Sequence, residues 1–290
     1  MKIVVLGVTG LIGSTVYRIL SDVSDWQVYG TMRQEGLTYS ELVEQQSGII
    51  GDVDALSFET VGQLIASVGP DVVVNCIGLT KHKAKGNDPL ACIALNSLMP
   101  HKLALVCRLA KCRLIHISTD CVFSGRIGNY SESDVTDAID VYGKSKALGE
   151  LHESHTVTLR TSTIGHEERS KDGLLEWFLS QRTSCTGYSK AIFSGLPTIE
   201  LAIVIRDFVI PNTQLSGLYN VAAEAVNKYE LLSIITKSYG KSIIIEKDDK
   251  FTIDRSLDAS KFFTETGYQP ASWENLIQQM HTDMKMGFYV

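Results

Sequence analysis

MKIVVLGVTGLIGS, residues 1–14, combines a short apolar segment with three regularly spaced glycines. Ile3–Leu6 is apolar without alternation, which is typical of a strand buried on both faces of a parallel sheet. Gly7, Gly10 and Gly13 follow at once and open an amphipathic segment. Glycines here let the backbone approach a pyrophosphate closely, and the free N–H groups at a helix start favour an anion. We therefore predict a strand, a dinucleotide-binding turn and a helix.

The alternation of short β-branched segments and longer amphipathic segments continues for about two thirds of the chain. This pattern predicts a Rossmann fold, an α/β architecture with a doubly wound parallel sheet. The predicted strands are Ile3–Leu6, Gln27–Met32, Gly48–Ile50, Asp71–Cys76, Arg113–Ser118 and Thr156–Arg160. The predicted helices between them are Leu11–Ser21, Phe58–Val68, Pro89–Ala110 and Val141–His155.

Beyond about Thr161 the pattern changes to helical segments with brief strands between them. The predicted helices are Gly173–Arg182, Ile199–Ile210, Lys228–Tyr239, Ala259–Thr266 and Trp273–Lys285, and the predicted strands are Leu218–Val221 and Ser242–Glu246. We therefore expect an NADP-binding Rossmann domain, residues 1–164, and a smaller helix-rich substrate-binding region, residues 165–290. Part of the later region is expected to return to the sheet. A ligand would lie in the cleft between the two.

The composition places the chain among ordinary globular proteins, with 44% hydrophobic residues, 21% charged residues and a formal net charge of -6. An acidic chain without a basic face argues against nucleic acid as a partner. The first apolar segment is too short for a signal or membrane helix, so we expect a soluble, cytoplasmic protein. The six cysteines and seven histidines show no metal-ligand spacing. Reduced thiols and no metal site are therefore expected.

The second predicted strand ends without the carboxylate that would bind the ribose in an NAD site. Thr31 and Arg33 stand there instead, and a guanidinium is well suited to a 2′-phosphate, although a solvated surface arginine is the alternative. NADPH is therefore favoured over NADH. Asp52, after the third strand, is a candidate for the adenine amino group or for a helix cap. The expected cofactor contacts are Gly7, Thr9, Gly10, Leu11, Ile12, Gly13, Thr31, Arg33, Asp52, Val53, Cys76, Ile77, Gly78, Tyr142 and Lys146.

Three side chains at the far end of the predicted sheet suit carbonyl reduction. Thr119 ends the fifth strand, and Tyr142 and Lys146, four residues apart, share one face of the next helix. A neighbouring ammonium favours the phenolate and lowers the pKa of a tyrosine, while a hydroxyl can hydrogen-bond the substrate oxygen. Such a Tyr-Lys pair is common by chance on helices. Its position after the glycine turn and Thr119 predicts that these three residues are catalytic in a reductase.

The motifs of this chain resemble those of the extended short-chain dehydrogenase/reductases. They are Gly7–Gly13, the segment STDCVFSG over Ser118–Gly125, and Tyr142–Lys146 followed by Gly149 and Glu150. Within that family the chain is similar to the dTDP-4-dehydrorhamnose reductase group, nearly throughout and most strongly to about residue 165. The resemblance implies that NADPH delivers hydride to C4 of a 4-keto-6-deoxy nucleotide sugar, with Tyr142 as proton donor. It also implies deoxysugar or surface polysaccharide biosynthesis. Dimers are common for this fold, which makes a homodimer an open possibility.

The residues expected around the sugar depart from the pattern of that group. Cys121 stands where the group usually has tyrosine, and Thr163 stands where an aromatic residue is usual. The sugar and its nucleotide therefore stay open, and an N-acetylated UDP-linked 4-keto sugar is an alternative. Asn96 either supports the active site or makes a local bond inside its helix. The expected substrate contacts are Thr80, Asn96, Thr119, Cys121, Val122 and Thr163, and the basic loop Lys81–Lys85 meets either phosphates or solvent.

Two other functions remain open on the same fold. A nucleotide-sugar epimerase would recycle a bound nucleotide instead of consuming NADPH. A non-catalytic regulatory subunit would bind the nucleotide without turnover, because fold does not fix function. A dehydratase of this superfamily is disfavoured, since Cys121 follows Asp120 where a second carboxylate would be needed.

Overall fold

The structure, a computed structural model, describes residues 1–33, 48–80, 88–167 and 173–285. Its strands are β1 (Lys2–Leu6), β2 (Gln27–Thr31), β3 (Gly48–Ile50), β4 (Val72–Asn75), β5 (Arg113–Thr119), β6 (Thr156–Thr161), β7 (Thr163–Ile164), β8 (Ser184–Phe193), β9 (Leu196–Pro197), β10 (Gly217–Asn220), β11 (Val226–Asn227) and β12 (Ile244–Asp254). A parallel seven-stranded sheet has the order β10-β6-β5-β4-β1-β2-β3. This order confirms the predicted doubly wound sheet. The order in which the chain adds strands to the sheet reverses between β1 and β4.

Helices cover both faces of this sheet. They are α1 (Leu11–Ser21), α2 (Phe58–Val68), α3 (Pro89–Ala110), α4 (Val141–Leu148), α5 (Leu174–Ser180), α6 (Thr198–Val204), α7 (Lys228–Tyr239), α8 (Ser260–Thr266) and α9 (Trp273–Lys285). Alternate residues of a strand face opposite sides. Accordingly Ile3 and Val5 of β1 join the core that contains residues of α1, α6, α7 and α9, whereas Val4 and Leu6 join a second core with residues of α2 and α3. Because helices cover β1 on both faces, its residues are apolar and do not alternate with polar ones.

The predicted helix Val141–His155 is too long. In the structure α4 ends at Leu148, and Gly149 caps it. A Cβ at Gly149 would collide with the carbonyl oxygen of Asn96, so glycine allows the end of α4 to pack directly on α3. This close packing brings together two helices that both carry candidate site residues.

The part of the chain after residue 165 contains a sheet that the sequence did not predict. Strands β11, β8 and β12 form a three-stranded sheet in that order, and β8 and β12 have 10 and 11 residues. The prediction of a brief strand at Ser242–Glu246 is therefore wrong in length. Most of β12 is exposed or half-buried, and it is rich in polar residues. It therefore lacks the alternation of apolar and polar residues that predicts a strand. In the main sheet, β10 from this later part of the chain pairs with β6.

Among the described residues, α3 is long and apolar enough to span a membrane, with 22 residues and an 18-residue stretch whose mean hydropathy is 1.5. Buried residues of α3, such as Met99, Leu103 and Cys107, belong to the second core together with Leu114 of β5. A core helix of a globular protein has the same properties, so α3 is weak evidence for a membrane span. Within α3, Ile93–Leu98 is π-helical, a feature that is frequent at functional sites.

Candidate active site

The glycine turn between β1 and α1 has the geometry of an anion-binding site. Gly7 has a φ of +83°, and its N–H donates to the Thr31 hydroxyl at 3.3 Å. A Cβ at Gly13 would collide with the Gly7 carbonyl oxygen, so the turn can close this tightly only with glycine at position 13. Gly10 begins α1 without a side-chain cap, and no acidic residue lies in the first turn. The N–H groups and the positive end of the helix dipole therefore suit a pyrophosphate.

The residues predicted to distinguish NADPH from NADH lie at the ends of β2 and β3. Thr31 is 1% exposed and supports Gly7, whereas Arg33 is exposed beside it. Asp52 is exposed with a φ of +57°. Val53 is buried and its N–H donates to the Met32 carbonyl at 3.1 Å, which argues against the predicted contact of Val53 with a cofactor. Arg33 is thus the exposed cation at the predicted 2′-phosphate position.

A cleft of about 460 Å³ connects the glycine turn with the far end of the sheet. It opens at the carboxyl ends of the strands, where ligands bind in doubly wound folds. Residues from both regions of the chain line it. The predicted site residues among them are Thr9, Gly10, Leu11, Ile12, Cys76, Gly78, Thr80, Thr119, Cys121, Tyr142 and Thr163.

Tyr142 is held at the cleft by the start of α4. The Asp140 carboxylate caps this helix by accepting a hydrogen bond from Gly143 N at 2.7 Å. Gly143 also packs against the Cys121 carbonyl, where a Cβ would collide, so the helix start abuts the turn that follows β5. In that turn, Thr119 Oγ1 accepts from Cys121 N and donates to Asp120 Oδ1, both at 3.1 Å. The structure thereby brings Thr119 and Tyr142 together, as predicted.

The acidity of Tyr142 differs from the expectation. Burial raises its pKa above the ordinary range, Cys121 adds to the rise, and a hydrogen bond with Thr119 opposes it. The prediction that Lys146 lowers this pKa is wrong for this structure, because Lys146 Nζ donates to the Ile117 carbonyl at 2.6 Å. A phenol with a raised pKa stays protonated at neutral pH, which is the state that a proton donor requires.

Lys146 lies behind the cleft wall and is 4% exposed. Burial lowers its pKa to about 8, against the opposing effects of Glu150 and Cys76. A Cβ at Gly78 would stand 4.0 Å from Lys146 Nζ, so the ammonium faces the backbone that follows β4. This backbone contains Cys76, Ile77 and Gly78, which are predicted to contact the cofactor. The position suits a lysine that binds ribose hydroxyls.

Two predicted substrate contacts are buried away from the cleft. Asn96 is fully buried, and its side chain bonds Leu79 N at 2.8 Å, Leu79 O at 3.0 Å and Ser145 Oγ at 3.1 Å. With its amide used in this way, Asn96 links the segment after β4 to α4. Val122 is fully buried in a small core with Phe123. Both predictions of substrate contact are therefore corrected, although support of the active site by Asn96 agrees with its position.

Comparison with known proteins agrees with this geometry. Residues 1–286 match the family described as RmlD substrate binding domain. The chain belongs to the RmlD family. It is 35% identical over 147 residues to the probable low-salt glycan biosynthesis reductase Agl14 of Haloferax volcanii, covering 50% of this chain and 46% of the relative. The chain therefore spans about half the length of that relative. It is 27% identical over 253 residues to methionine adenosyltransferase 2 subunit beta of Danio rerio, covering 82% and 74%.

Solved structures share the fold of this RmlD family member. The dTDP-4-dehydrorhamnose reductase of Bacillus anthracis, solved in complex with NADP, superposes with a TM-score of 0.78 at 19% identity. The superposition covers 97% of this chain and 98% of the other. The seven-stranded Rossmann sheet and the region built onto it are thus one known architecture.

Two cations that line the cleft were not predicted. In this RmlD family chain, Arg255 follows β12, donates through Nε to the Phe123 carbonyl at 2.8 Å, and has Nη1 3.7 Å from Cys121 Sγ. Lys228, the first residue of α7, lines the same cleft. No local pattern in the sequence marks either residue, because each reaches the cleft through the tertiary arrangement. The predicted basic loop Lys81–Lys85 lies outside the described residues.

His116 lies inside the sheet near the site. Its Nδ1 accepts from Asn75 Nδ2 at 3.0 Å, and the Asn75 amide is oriented by Ile77 N, which donates to Oδ1 at 3.1 Å. Burial holds the pKa of His116 well below its usual range, with Lys146 adding to the effect. The imidazole is therefore neutral with its proton on Nε2, as a core side chain would be.

Proposed function

We propose that this protein is an NADPH-dependent reductase of the 4-keto group of a 4-keto-6-deoxy nucleotide sugar. The observation that carries the proposal is the single cleft that joins the glycine turn to Thr119 and Tyr142. A reductase of this kind needs the two sites side by side, because the hydride donor and the carbonyl must meet. Family membership and the reductase names among the relatives support the same reaction.

The residues of the chain fit the cofactor. The glycine turn and the start of α1 would hold the pyrophosphate, since the turn closes tightly only with glycine at position 13 and the start of α1 carries free N–H groups. Arg33 would hold the 2′-phosphate, and Lys146, beside Gly78, would hold the nicotinamide ribose. When bound, NADPH supplies the hydride that the carbonyl carbon accepts. The remaining chemistry falls to the side chains of the protein.

Tyr142 and Thr119 handle the carbonyl oxygen. The Thr119 hydroxyl, which donates to Asp120 Oδ1 in the structure, would turn its hydrogen to this oxygen and hold it next to Tyr142. As negative charge develops on the oxygen, Tyr142 transfers its phenolic proton, which converts the ketone to an alcohol. Thr80, Cys121 and Thr163 line the remaining cleft and would contact the sugar.

The region from residue 165 onward supplies the substrate side of the cleft in this proposal. Arg255 and Lys228 place two cations there, which suits the diphosphate of a nucleotide sugar. Replacing Arg255 with alanine should raise the KM for the sugar nucleotide roughly 10- to 100-fold, as expected for a charge-assisted hydrogen bond of about 1.5–3 kcal/mol. Titration calorimetry with dTDP and UDP would measure the same loss. Arg126→Ala, at an exposed arginine outside the cleft lining, serves as control; equal effects in both variants would contradict the assignment.

Arg33 should determine the choice of dinucleotide. Arg33→Ala removes the guanidinium proposed to bind the 2′-phosphate, so the Kd for NADPH should rise roughly 10-fold or more while that for NADH changes little. Fluorescence titration with both nucleotides measures the two constants. Arg206→Ala, at an arginine paired with Asp207 on the surface, is the matched control. A similar loss for both nucleotides would show that Arg33 does not touch the phosphate.

The test of the reaction is NADPH oxidation against a panel of dTDP-, UDP- and GDP-linked 4-keto-6-deoxy sugars. The reductase consumes one NADPH for each sugar reduced. An epimerase would interconvert sugars without net oxidation, and a regulatory subunit would bind NADPH with no turnover. The Danio rerio relative, named as a subunit, is the specific observation in favour of the last function. The clustering of Thr119 and Tyr142 at the cleft supports the reductase instead.

We place this activity in the biosynthesis of deoxysugars for surface polysaccharides, in the cytoplasm, with a homodimer as the proposed assembly. The substrate is a small nucleotide sugar, which requires neither a nucleic acid nor a membrane as partner.

A further inference from the structure

A buried ion pair lies next to the end of β5, the strand that carries Thr119. Arg160 of β6 donates through Nε and Nη2 to the two carboxylate oxygens of Glu150, each at 2.7 Å. The side chains of Arg160 and Glu150 are 3% and 4% exposed. The guanidinium also lies over the Phe123 ring, 5.0 Å from its centroid. Both charges are therefore removed from solvent and held in a fixed bidentate geometry.

Glu150 is also connected to Thr119 through the neighbouring residue. Ser118 Oγ donates to Glu150 Oε1 at 2.7 Å, and Ser118 is paired with Arg160 across β5 and β6. Thr119 follows Ser118 directly at the end of β5. The carboxylate thereby ties together the end of β5, the strand β6 and the segment that leaves α4.

Glu150 is a source of negative charge for the buried Lys146, four residues earlier in the chain. Burial lowers the pKa of Lys146, and Glu150 opposes that change more than Cys76 does. The other titratable groups around Lys146 are neutral: burial raises the pKa of Cys76 to about 12 and lowers that of His116. Tyr142, with a raised pKa, is neutral as well. Glu150 therefore opposes the effect of burial on Lys146, while both of its oxygens also accept hydrogen bonds from Arg160.

Stability alone does not account for this pair. Removing two charges from water costs about as much free energy as their attraction returns, so apolar replacements are often equally stable. We propose that Glu150 is a positioning residue for the reduction, which fixes Thr119 through Ser118 and places a buried carboxylate four residues after Lys146. The inference rests on the proposed function, because Thr119 and Lys146 act together only in that reaction.

Glu150→Gln tests the charge with little change of shape. The Lys146 titration is followed by NMR of ligand-free protein labelled with carbon-13 at the lysine Cε atoms, and Lys146→Met assigns the resonance. The midpoint should move down by about 1 pH unit in Glu150→Gln, as expected for loss of an opposite charge close by. The cation is lost as pH rises through its pKa. The alkaline limb of kcat/KM should therefore also move to lower pH in the variant.

Three further variants separate positioning from general destabilisation. Ser118→Ala should lower kcat without moving the Lys146 titration. Asp283→Asn removes the carboxylate of another arginine pair, Arg18–Asp283 at 2.6 Å, and should lower Tm only. If Glu150→Gln does not fold, the double variant Glu150→Gln, Arg160→Met removes both buried charges together and should show a smaller downward shift, because the opposite charge of Arg160 is removed as well.

The outcomes distinguish this inference from the proposed function. An unshifted Lys146 titration in a folded Glu150 variant would overturn the charge role, and an unchanged kcat in Ser118→Ala would overturn the positioning role. The NMR titration needs no sugar. A shifted titration together with no NADPH oxidation for any sugar would refute the reductase and, with it, the catalytic meaning of the pair.

Discussion

Replacing Tyr142 with phenylalanine should lower kcat by roughly 10²- to 10⁴-fold, the usual contribution of a positioned proton donor. The substitution removes one oxygen atom at the cleft wall beside Thr119 and leaves the ring that packs there. Because the glycine turn and Arg33 lie elsewhere, the Kd for NADPH should be unchanged. Steady-state NADPH oxidation and fluorescence titration measure the two quantities separately.

Tyr188→Phe is the matched control for this experiment. Tyr188 is on β8, 37% exposed, with its ring packed at a tilt against the ring of Phe251, 5.3 Å between centroids. The same change of atom there should leave kcat unaltered. If Tyr142→Phe retained wild-type kcat, the assignment of Tyr142 as proton donor would be lost.

Gly13→Ala should disrupt the dinucleotide site. The added methyl group would collide with the Gly7 carbonyl oxygen, a backbone atom that can yield only if the turn moves. Overpacking costs about 1–3 kcal/mol, and if that cost falls on the bound state it lowers NADPH affinity by roughly 10- to 100-fold. Fluorescence titration measures the affinity, and a thermal melt measures the accompanying loss of stability.

Gly62→Ala is the matched control, because it adds the same methyl group at a position where there is room for it. Gly62 lies within α2, and a Cβ there meets nothing within 4 Å. Alanine is the better helix former, so this variant should gain about 0.5–1 kcal/mol of stability with no effect on NADPH. Equal NADPH affinity in both variants would mean that the turn at Gly13 does not hold the cofactor.

The parts of the fold that depend on local sequence were predictable. The buried strand β1 and the glycine turn are encoded by adjacent residues, and the spacing of Tyr142 and Lys146 is a property of one helix. The parallel order of the sheet followed from the alternation of strands and helices. In each case the physical cause acts over a few residues, so a single sequence contains it.

Features that depend on distant contacts were missed. Strand β12 is polar because it is largely exposed, and no alternation marks it as a strand. Arg255 reaches the cleft because that strand ends near Phe123, more than a hundred residues earlier in the chain. The raised pKa of Tyr142 follows from burial by several elements, which the spacing to Lys146 could not reveal. Val122 and Asn96 were placed in the cleft for the same reason, since burial is set by tertiary packing.

The return of β10 to the main sheet limits how this enzyme scaffold can be divided. Its residue Asn220 pairs with Arg160, and Val221 N donates to the Arg160 carbonyl at 2.8 Å. One edge strand of the main sheet thus comes from the part of the chain after residue 165. A polypeptide cut at residue 164 would leave β6 as a bare sheet edge, which favours aggregation. A chimera with a new sugar specificity should therefore exchange loops and helices around Gly217–Asn220 and retain that strand from the parent.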